Sequence, residues 1–381
     1  MITSDCIPEQ INIVSNIKYA DAVRLKQVQE ILKQMLPLIK ASEINELRHI
    51  MSKINQSNAF VIQLGDCAER FSDACESVTK SKCMQLIKLK ELMHSKLNRQ
   101  IHVIGRIAGQ YAKPRSKPFE IVNNRPTLAY FGDLINHEHD VEARNPDPER
   151  LLTAYNSASK ILSCLYACND QLFTSHECFL LEYELPLTRN VDGKLYSFST
   201  HFPWLGMRNI NSKVHIQYLS KIHNPVAIKV GPGTHISTII SSIASINPDN
   251  DVGKIIVILR LGIENVKTHL PKLIEELTKK NMEVVWMCDP MHGNTKADKY
   301  GLKYRLLSSM IEETLEVIFV LSAYGLKLKG VHLEATYKSD VLECITSLDQ
   351  LLPNRPYDSA LDPRLNHEQC EYYLEKIMNY L

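Results

Sequence analysis

The chain lacks an excess of charge of either sign. Its 381 residues include 44 lysines and arginines against 43 aspartates and glutamates, which gives a formal net charge of +1 at pH 7. A protein that coats a polyanion such as DNA carries a basic surplus, because cations neutralise the phosphates. The balance therefore predicts no nucleic-acid partner, and any basic site must be local.

Long apolar runs and paired cysteines are missing as well. No apolar segment reaches the roughly 18 residues that a membrane-spanning helix needs, and residues 1–10 show neither an apolar nor an Arg-rich targeting pattern. The ten cysteines are scattered without a Cys-x-x-Cys pair, and Cys164 and Cys168 simply lie four apart in a helical pattern. These absences predict a soluble, cytoplasmic protein with reduced thiols and no membrane contact.

What the sequence does contain is an alternation of short apolar runs and helical patterns. Eight runs are typical of β-strands: residues 59–64, 101–104, 171–174, 196–204, 226–230, 254–259, 282–287 and 328–333. Apolar residues at helical spacing lie between most of them, for instance over 78–97, 147–165, 264–279 and 304–324. Eight alternating units predict an α/β fold, a closed (β/α)8 TIM barrel with its active site at the carboxyl ends of the strands. A doubly wound open sheet is the alternative, but it would gather polar strand endings at one switch point.

Two segments fall outside this repeat. Residues 21–53 carry apolar positions at helical spacing before the first strand and predict two leading helices. We therefore expect residues 1–58 to form a helical extension packed on a catalytic barrel of residues 59–381. A stretch rich in Pro, Asn and His runs from the second strand to Pro148 and predicts a long insertion.

Several strand endings carry side chains that bind metals. Cys67, His292 and Glu334 come at the ends of strands one, seven and eight, and Asp362 follows the last strand. A thiolate, an imidazole and two carboxylates suit a divalent transition metal such as Mn, Co, Fe or Zn better than Mg or Ca. Taken singly, each residue has a simpler interpretation, since a lone cysteine after a strand is usually a small buried apolar side chain.

Cations form a second set at the same endings. An unpaired charge there is costly, so each cation either pairs with an acid inside the barrel or binds an anionic ligand. Residues 231–234 (Gly-Pro-Gly-Thr) open a helix and would add backbone donors. Six cations at one mouth predict a ligand set with about two phosphates and a carboxylate: Arg106, Lys113, Arg115, Arg208, Lys229 and Arg260.

Eight segments, taken in order, resemble the motifs of the class II 3-deoxy-D-arabino-heptulosonate 7-phosphate (DAHP) synthases. The most specific is residues 105–116, Gly-Arg-Ile-Ala-Gly-Gln-Tyr-Ala-Lys-Pro-Arg-Ser. The resemblance covers nearly the whole chain from about residue 20, and the chain looks like a short form of the family. The segments are residues 64–69, 105–116, 175–177, 204–208, 229–232, 288–295, 331–334 and 362–366.

This resemblance implies a transferase, 3-deoxy-7-phosphoheptulonate synthase, at the first step of the shikimate pathway to chorismate and the aromatic amino acids. It would join phosphoenolpyruvate to erythrose 4-phosphate and release phosphate, with one divalent metal, manganese first and cobalt, iron or zinc as alternatives. We expect a homodimer or homotetramer.

Residue roles follow from the same resemblance at the matching positions. Cys67, His292, Glu334 and Asp362 would hold the metal. The residues expected to bind phosphoenolpyruvate are Arg106, Lys113, Met207 through its backbone, Arg208, Lys229 and Arg260. Arg115 and Ser116 would take the sugar phosphate. Lys113, Glu177 and His292 are the predicted catalytic residues, with Glu177 orienting or deprotonating the water that adds to the substrate.

Three departures from the family pattern matter. Residues 206–210 read Gly-Met-Arg-Asn-Ile where the family commonly has Gly-Glu-Arg-Thr-Arg, so one acid and one base are lost. Leu361 stands where many members have a cysteine, which removes a disulfide with the metal-binding cysteine, and Leu64 replaces a glycine. Because feedback-regulated members carry longer amino-terminal extensions, we expect weak or absent inhibition by aromatic amino acids.

Two other functions remain open at this point. A sibling synthase would use another aldose phosphate, such as an amino or imino analogue, with the same cations. A non-catalytic regulatory relative is disfavoured because all four metal-binding side chains are present.

Overall fold

Eight parallel strands close into a barrel in this computed structural model, which describes residues 2–3, 17–122, 124–168 and 171–381. Each strand pairs with its neighbour in sequence, and β8 pairs in parallel with β1, from Gly330↔Val61 to Glu334↔Gly65. The (β/α)8 prediction is confirmed, and the open sheet is excluded because no edge remains. The strands are β1 (Phe60–Gly65), β2 (Ile101–Arg106), β3 (Leu172–Glu177), β4 (Phe202–Leu205), β5 (Val226–Val230), β6 (Ile255–Leu259), β7 (Val285–Cys288) and β8 (Gly330–Glu334).

Ten α-helices accompany the barrel in the described ranges. The apolar spacing that predicts them is also their buried face: in the helix from Ile263 to Lys279, Val266, Leu270 and Leu277 are fully or almost fully buried. The two leading helices are present. The helices are α1 (Ala22–Gln34), α2 (Ala41–Ile54), α3 (Glu76–Leu97), α4 (Glu149–Ala167), α5 (Leu181–Glu184), α6 (Lys213–Lys221), α7 (Ile236–Ile246), α8 (Ile263–Lys279), α9 (Leu307–Ala323) and α10 (His367–Met378). In these ranges no helix is both long and apolar enough to cross a membrane.

The predicted strand over 196–204 is wrong in its bounds. The run divides into Lys194–Ser197, which pairs with Thr188–Val191 outside the barrel, and β4. Ser199, Thr200 and His201, between the two strands, are buried and polar. Two of them bond elsewhere: Ser199 Oγ donates to Glu184 Oε2 at 2.5 Å, and His201 Nδ1 accepts from the Thr174 amide at 3.0 Å. Side-chain bonds thus interrupt a run that its β-type residues alone would continue.

Short strands also form small sheets outside the barrel. The insertion after β2 carries a hairpin of Phe119–Val122 and Arg125–Leu128. Lys303–Leu306 pairs with Lys296–Ala297 and Cys344–Ile345, so the helix predicted from residue 304 begins only at Leu307. Ile2–Thr3 pairs with Thr188–Val191.

The interior of the barrel is apolar at its amino end. Leu47, Met51 and Ile54 of α2 join the same buried cluster as inward-facing strand residues such as Val61 and Ile104. The helix therefore packs on this end of the barrel and buries its apolar face there. The division into an extension of residues 1–58 and a barrel of residues 59–381 stays a prediction.

Polar side chains take over halfway along the barrel. Gln63 Nε2 donates to Ser175 Oγ at 2.9 Å, and Gln63 Oε1 lies 2.7 Å from His332 Nδ1. His332 Nε2 in turn lies 2.7 Å from Arg106 Nη1. This hydrogen-bonded layer separates the apolar floor from the charged carboxyl end.

Candidate active site

The carboxyl ends of the strands open into a cavity of about 740 Å³. Cys67, Arg106 and Glu334 lie beneath the lining, and each is at most 2 % exposed. Thirteen predicted site residues are therefore gathered at one end of the barrel. Those that line the cavity are Lys113, Arg115, Ser116, Glu177, Met207, Arg208, Lys229, Arg260, His292 and Asp362.

The loop after β2 delivers Lys113 to this cavity. Ala108 has a φ of 62°, a left-handed conformation, and the buried Glu69 carboxylate accepts from the amides of Gly109 and Gln110 at 2.9 Å each. A Cβ at position 109 would lie 2.2 Å from His176 Nδ1, so only glycine leaves room for that imidazole. The specific 105–116 motif thus encodes a tight turn against β3.

Three predicted metal ligands form a compact group. One ligand atom from each of Cys67, Glu334 and Asp362 lies within 4.8 Å of the others. His292 Nε2 lies 3.0 Å from Glu334 Oε1, beside this group rather than within all of its distances. The Asp362 amide donates to Cys67 Sγ at 3.2 Å and so ties the segment before α10 to the end of β1.

The Lys113 ammonium sits among all four predicted ligands. Its Nζ lies 2.9 Å from Cys67 Sγ, 2.8 Å from Glu334 Oε1, 2.6 Å from Asp362 Oδ2 and 3.4 Å from His292 Nε2. Burial opposes the charge, but Asp362, Cys67 and Glu334 hold the pKa of Lys113 above its usual value. An internal cation therefore stands where these residues converge, and a mixed thiol, imidazole and carboxylate set fits a divalent transition metal there.

His292 is oriented by an acid that the sequence reading did not assign. Asp289 Oδ2 lies 2.7 Å from His292 Nδ1, and the same oxygen accepts from Lys229 Nζ at 2.8 Å. Burial lowers the pKa of His292, which favours the neutral imidazole that binds metals. The local signal for Asp289 was its place directly after β7, three residues before the histidine.

Two further cations, which the sequence analysis did not predict, form ion pairs with the carboxylates of the proposed metal site. Arg305 Nη1 lies 2.7 Å from Glu334 Oε2, and Lys303 Nζ lies 2.6 Å from Asp362 Oδ1. Burial would raise the pKa of Glu334, but His292, Lys113 and Arg305 hold it well below its usual range. Both cations lie on the short strand Lys303–Leu306, and no local pattern marks them as site residues.

The cysteine behaves differently from the carboxylates. Burial and the charge of Glu334 raise the pKa of Cys67 to about 12, although Lys113 opposes the shift. Leu361 packs against Cys67 and Tyr130 in a small apolar cluster. The thiol is therefore protonated at neutral pH, and a metal ion held there would displace its proton.

The six predicted anion-binding cations divide into two kinds. Arg106 lies 3.2 Å from Glu334, Lys229 lies 2.8 Å from Asp289, and Lys113 contacts Glu334 and Asp362 as described above. The internal-pairing interpretation therefore holds for these three. Arg260 instead donates to Met207 Sδ and to the His292 carbonyl, each at 3.0 Å, and its buried Nε has no partner in the described ranges. This guanidinium faces the cavity with unused capacity to bind an anion.

Arg208 and Glu177 complete the lining. Arg208 Nη2 donates to Ser116 Oγ at 2.5 Å, which joins the two predicted phosphate sites. A Cβ at position 206 would lie 1.8 Å from Glu177 Oε1, so Gly206 gives the carboxylate its space. Burial raises the pKa of Glu177, while Lys229 and Lys113 oppose the shift. The result is a carboxyl group suited to exchanging a proton at the cavity.

Comparison with known proteins identifies the family of the chain. The model of the class-II DAHP synthetase family matches residues 8–171 and 166–373. A phospho-2-dehydro-3-deoxyheptonate aldolase of Streptomyces coelicolor is 31% identical over 413 residues, covering 92% of this chain and 91% of the relative. A protein of the same name from Neurospora crassa is 31% identical over 93% of this chain and 89% of its own.

A solved structure supports the fold alone. It is the phospho-2-dehydro-3-deoxyheptonate aldolase from Francisella tularensis, with a TM-score of 0.62 and 18% identity over 92% of this chain and 95% of that chain. With the family match spanning nearly the whole sequence, the predicted resemblance is confirmed: the chain belongs to the class-II DAHP synthetase family.

Proposed function

We propose that this chain is a metal-dependent DAHP synthase that condenses phosphoenolpyruvate with erythrose 4-phosphate and releases inorganic phosphate. Family membership supports the reaction. The observation that carries the proposal is the convergence of four potential ligands around Lys113 Nζ, beside a cavity with an unpaired arginine. A metal position beside a cavity lined by cations suits the condensation of two phosphorylated substrates.

Cys67, His292, Glu334 and Asp362 would hold the ion, manganese first and cobalt, iron or zinc as alternatives. When bound, the ion supplies a Lewis acid for the aldehyde oxygen of erythrose 4-phosphate. Lys113 contacts the same four residues, so its ammonium and a divalent ion compete for them. We expect Lys113, on its flexible stem, to turn toward the cavity when metal binds and to add positive charge there.

The fixed cations would bind and orient the two substrates. Arg260 and Arg208, with Lys229 and Arg106 behind them, suit the phosphate and carboxylate of phosphoenolpyruvate. Arg115 and Ser116 suit the phosphate of the sugar. Because Arg106, Lys229 and Arg260 lie at the ends of barrel strands, they need not reorganise as charge moves during the reaction.

The bond changes follow from this placement. Carbon 3 of phosphoenolpyruvate attacks the aldehyde carbon, a carbon–carbon bond forms as the carbon–oxygen double bond becomes single, and the aldehyde oxygen takes a proton from solvent and becomes a hydroxyl. Positive charge develops at carbon 2, where water adds while Glu177 accepts a proton from it. The carbon–oxygen bond to phosphate then breaks as the carbon 2 hydroxyl gives up its proton, which leaves the carbon 2 ketone, and the phosphate leaves with the bonding electron pair as inorganic phosphate.

The test is phosphate release by chain stripped with a chelator and reconstituted with Mn²⁺. We expect turnover only with both substrates and metal, at about one ion per chain. A panel of aldose phosphates distinguishes erythrose 4-phosphate from an amino or imino analogue. A metal content near zero without turnover would instead favour the non-catalytic regulatory relative. Adding phenylalanine, tyrosine or tryptophan to the same assay checks the expected weak inhibition.

A further inference from the structure

A buried carboxylate outside the cavity bonds two loops of the site. Glu313 lies in the middle of α9 and is fully buried. Its Oε1 accepts from the backbone amides of Leu261 at 2.9 Å and Gly262 at 2.8 Å, and its Oε2 accepts from Asn294 Nδ2 at 2.6 Å. None of these bonds reaches a substrate position, so Glu313 is outside the chemistry described above.

The two loops carry the two functions of the site. Leu261 and Gly262 directly follow Arg260, the unpaired anion-binding guanidinium. Asn294 ends the turn His292–Asn294, which begins with the predicted metal ligand. Arg260 Nη2 donates to the His292 carbonyl at 3.0 Å, so the loops also touch on the cavity side.

Backbone contact leaves these loops little freedom. Gly262 has a φ of 75°, and a Cβ at Gly293 would lie 2.4 Å from the Gly262 amide nitrogen. A small shift of one loop therefore pushes on the other. Glu313 fixes their separation from the outer side, while the contact between Arg260 and His292 fixes it from the inner side.

Burying a carboxylate at this position costs desolvation free energy. The three donors are uncharged. Burial and the charge of Asp289 raise the pKa of Glu313 to about 7, while hydrogen bonds from Gly262, Asn294 and Leu261 oppose the shift. An apolar side chain would avoid that desolvation but would leave two buried amides unpaired. The charge is better explained by the need for one side chain with two acceptor oxygens that joins two loops.

We propose that Glu313 is a positioning residue that couples the metal site to the phosphoenolpyruvate site, an inference that rests on the proposed function. Through its bond to Asn294, Glu313 fixes the position of the turn that carries His292. Through its bonds to the Leu261 and Gly262 amides, it fixes the orientation of the Arg260 side chain. Loss of the bonds that Glu313 makes to the two loops therefore lowers the affinity for the metal and for phosphoenolpyruvate together. Loss of a residue that contacts only one of these ligands lowers chiefly the affinity for that ligand.

Glu313→Gln tests the bridge with little change of volume. The glutamine oxygen still accepts from both amides, but its NH₂ group faces the NH₂ group of Asn294. The affinity of chelator-stripped protein for Mn²⁺ and, separately, of the Mn²⁺-loaded protein for phosphoenolpyruvate is measured by calorimetry. Residues around metal ligands typically change affinity about 10- to 100-fold, and we expect a loss in this range for both ligands. Glu312→Gln removes the same charge from the exposed neighbouring residue of α9 and should change neither affinity.

Asn294→Ala separates the two arms. It removes the bonds from Asn294 Nδ2 to Glu313 and to the Pro290 carbonyl, both on the His292 side, and leaves the two amide bonds of Glu313 in place. Mn²⁺ affinity should therefore fall several times more than phosphoenolpyruvate affinity. A Glu313→Gln protein with a lower melting temperature but unchanged affinities, or with only one affinity reduced, would overturn the coupling role. Failure of the wild-type chain to bind Mn²⁺ or phosphoenolpyruvate would instead refute the proposed function.

Discussion

The two ends of the barrel interior are built from the same strands and behave differently. At the amino end, Val61, Ile104 and Met287 pack with α2 and form no ion pairs. Two residues further along their strands, Ile104 gives way to Arg106 and Met287 to Asp289, both almost fully buried. Inward-facing positions recur every second residue along a strand. Neighbouring inward positions of one strand therefore hold an apolar core residue and a charged residue of the site.

The difference lies in how each side chain depends on its neighbours. An apolar side chain at the amino end stabilises the fold through the apolar surface that it buries, and this contribution depends little on which apolar residues surround it. A charge at the carboxyl end is tolerable only with its partners, since an unpaired buried ion is strongly destabilising. Glu334 shows this, because it contacts Lys113, Arg106, Arg305 and His292 at once. We therefore expect substitutions at the carboxyl end to alter activity, with a loss of stability where a buried charge is left unpaired, and those at the amino end to alter stability alone.

The sharpest test of this contrast is Cys67→Ala. Removing the thiolate from the proposed metal site should lower turnover at saturating substrate by at least about 100-fold, more than is usual for residues that only surround metal ligands. Phosphate release with Mn²⁺ measures it. Cys370→Ala is the matched control, because that cysteine is equally buried but lies on α10, away from the cavity. Equal activity of both variants would contradict the metal assignment of Cys67.

Arg260→Gln should have the next largest effect. The variant loses charged hydrogen bonds to an anionic substrate, about 1.5–3 kcal/mol in total, so the KM for phosphoenolpyruvate should rise about 10- to 100-fold. Steady-state kinetics with both substrates measure the change. Lys272→Gln on the exposed face of α8 removes the same charge and should leave KM unaltered. An unchanged KM for Arg260→Gln would show that its free guanidinium does not bind substrate.

Met51→Ala examines the amino end. Met51 is fully buried beneath the barrel, so the free energy of unfolding should fall by about 2–5 kcal/mol. Urea denaturation measures the loss, and kcat/KM of the folded variant should stay close to wild type. Lys53→Ala on the same helix, at an exposed position, is the control. A large loss of activity without a loss of stability would break the comparison.

The smallest expected effect is a pH dependence at this same end. Burial opposes ionisation of Glu43 on α2, but hydrogen bonds from His201, the Lys40 amide and Tyr166 lower the pKa of its carboxyl from 4.5 to about 2. A lowered folded pKa stabilises the fold above the unfolded value, and this stabilisation is lost as pH falls through the folded value. Between pH 4.5 and 2 the wild type should lose more unfolding free energy than Glu43→Gln. Unfolding free energies are measured by urea denaturation at several pH values. Equal losses for the wild type and Glu43→Gln across that pH range would contradict this contribution.

The sequence predicted most of the barrel because strand and helix patterns are local. The predicted bounds of 226–230 coincide with β5, where a run of mainly β-branched residues is buried on both sides. The error at 196–204 arose where buried Ser199 and His201 bond to distant partners, and such bonds leave no trace in the periodicity.

Site prediction reached the residues at strand ends and missed those that support them. Asp289 sat inside a motif but received no role, and Arg305, Lys303 and Glu313 lie on elements whose local pattern is ordinary. Their importance arises from distances across the barrel, such as the 2.7 Å from Arg305 Nη1 to Glu334 Oε2. Because the two residues of such a pair lie far apart along the chain, local sequence patterns do not predict their contact.

The sequence by itself determined the number of βα units, the residue types at each strand ending and the family to which they belong, because each depends on neighbours along the chain. Only the tertiary structure decided which charges neutralise one another and which remain free. Arg106 and Arg260 look alike as strand-ending arginines, yet one pairs with Glu334 and the other faces the cavity without an acid. Electrostatic energy depends on separation in space, and folding alone sets that separation.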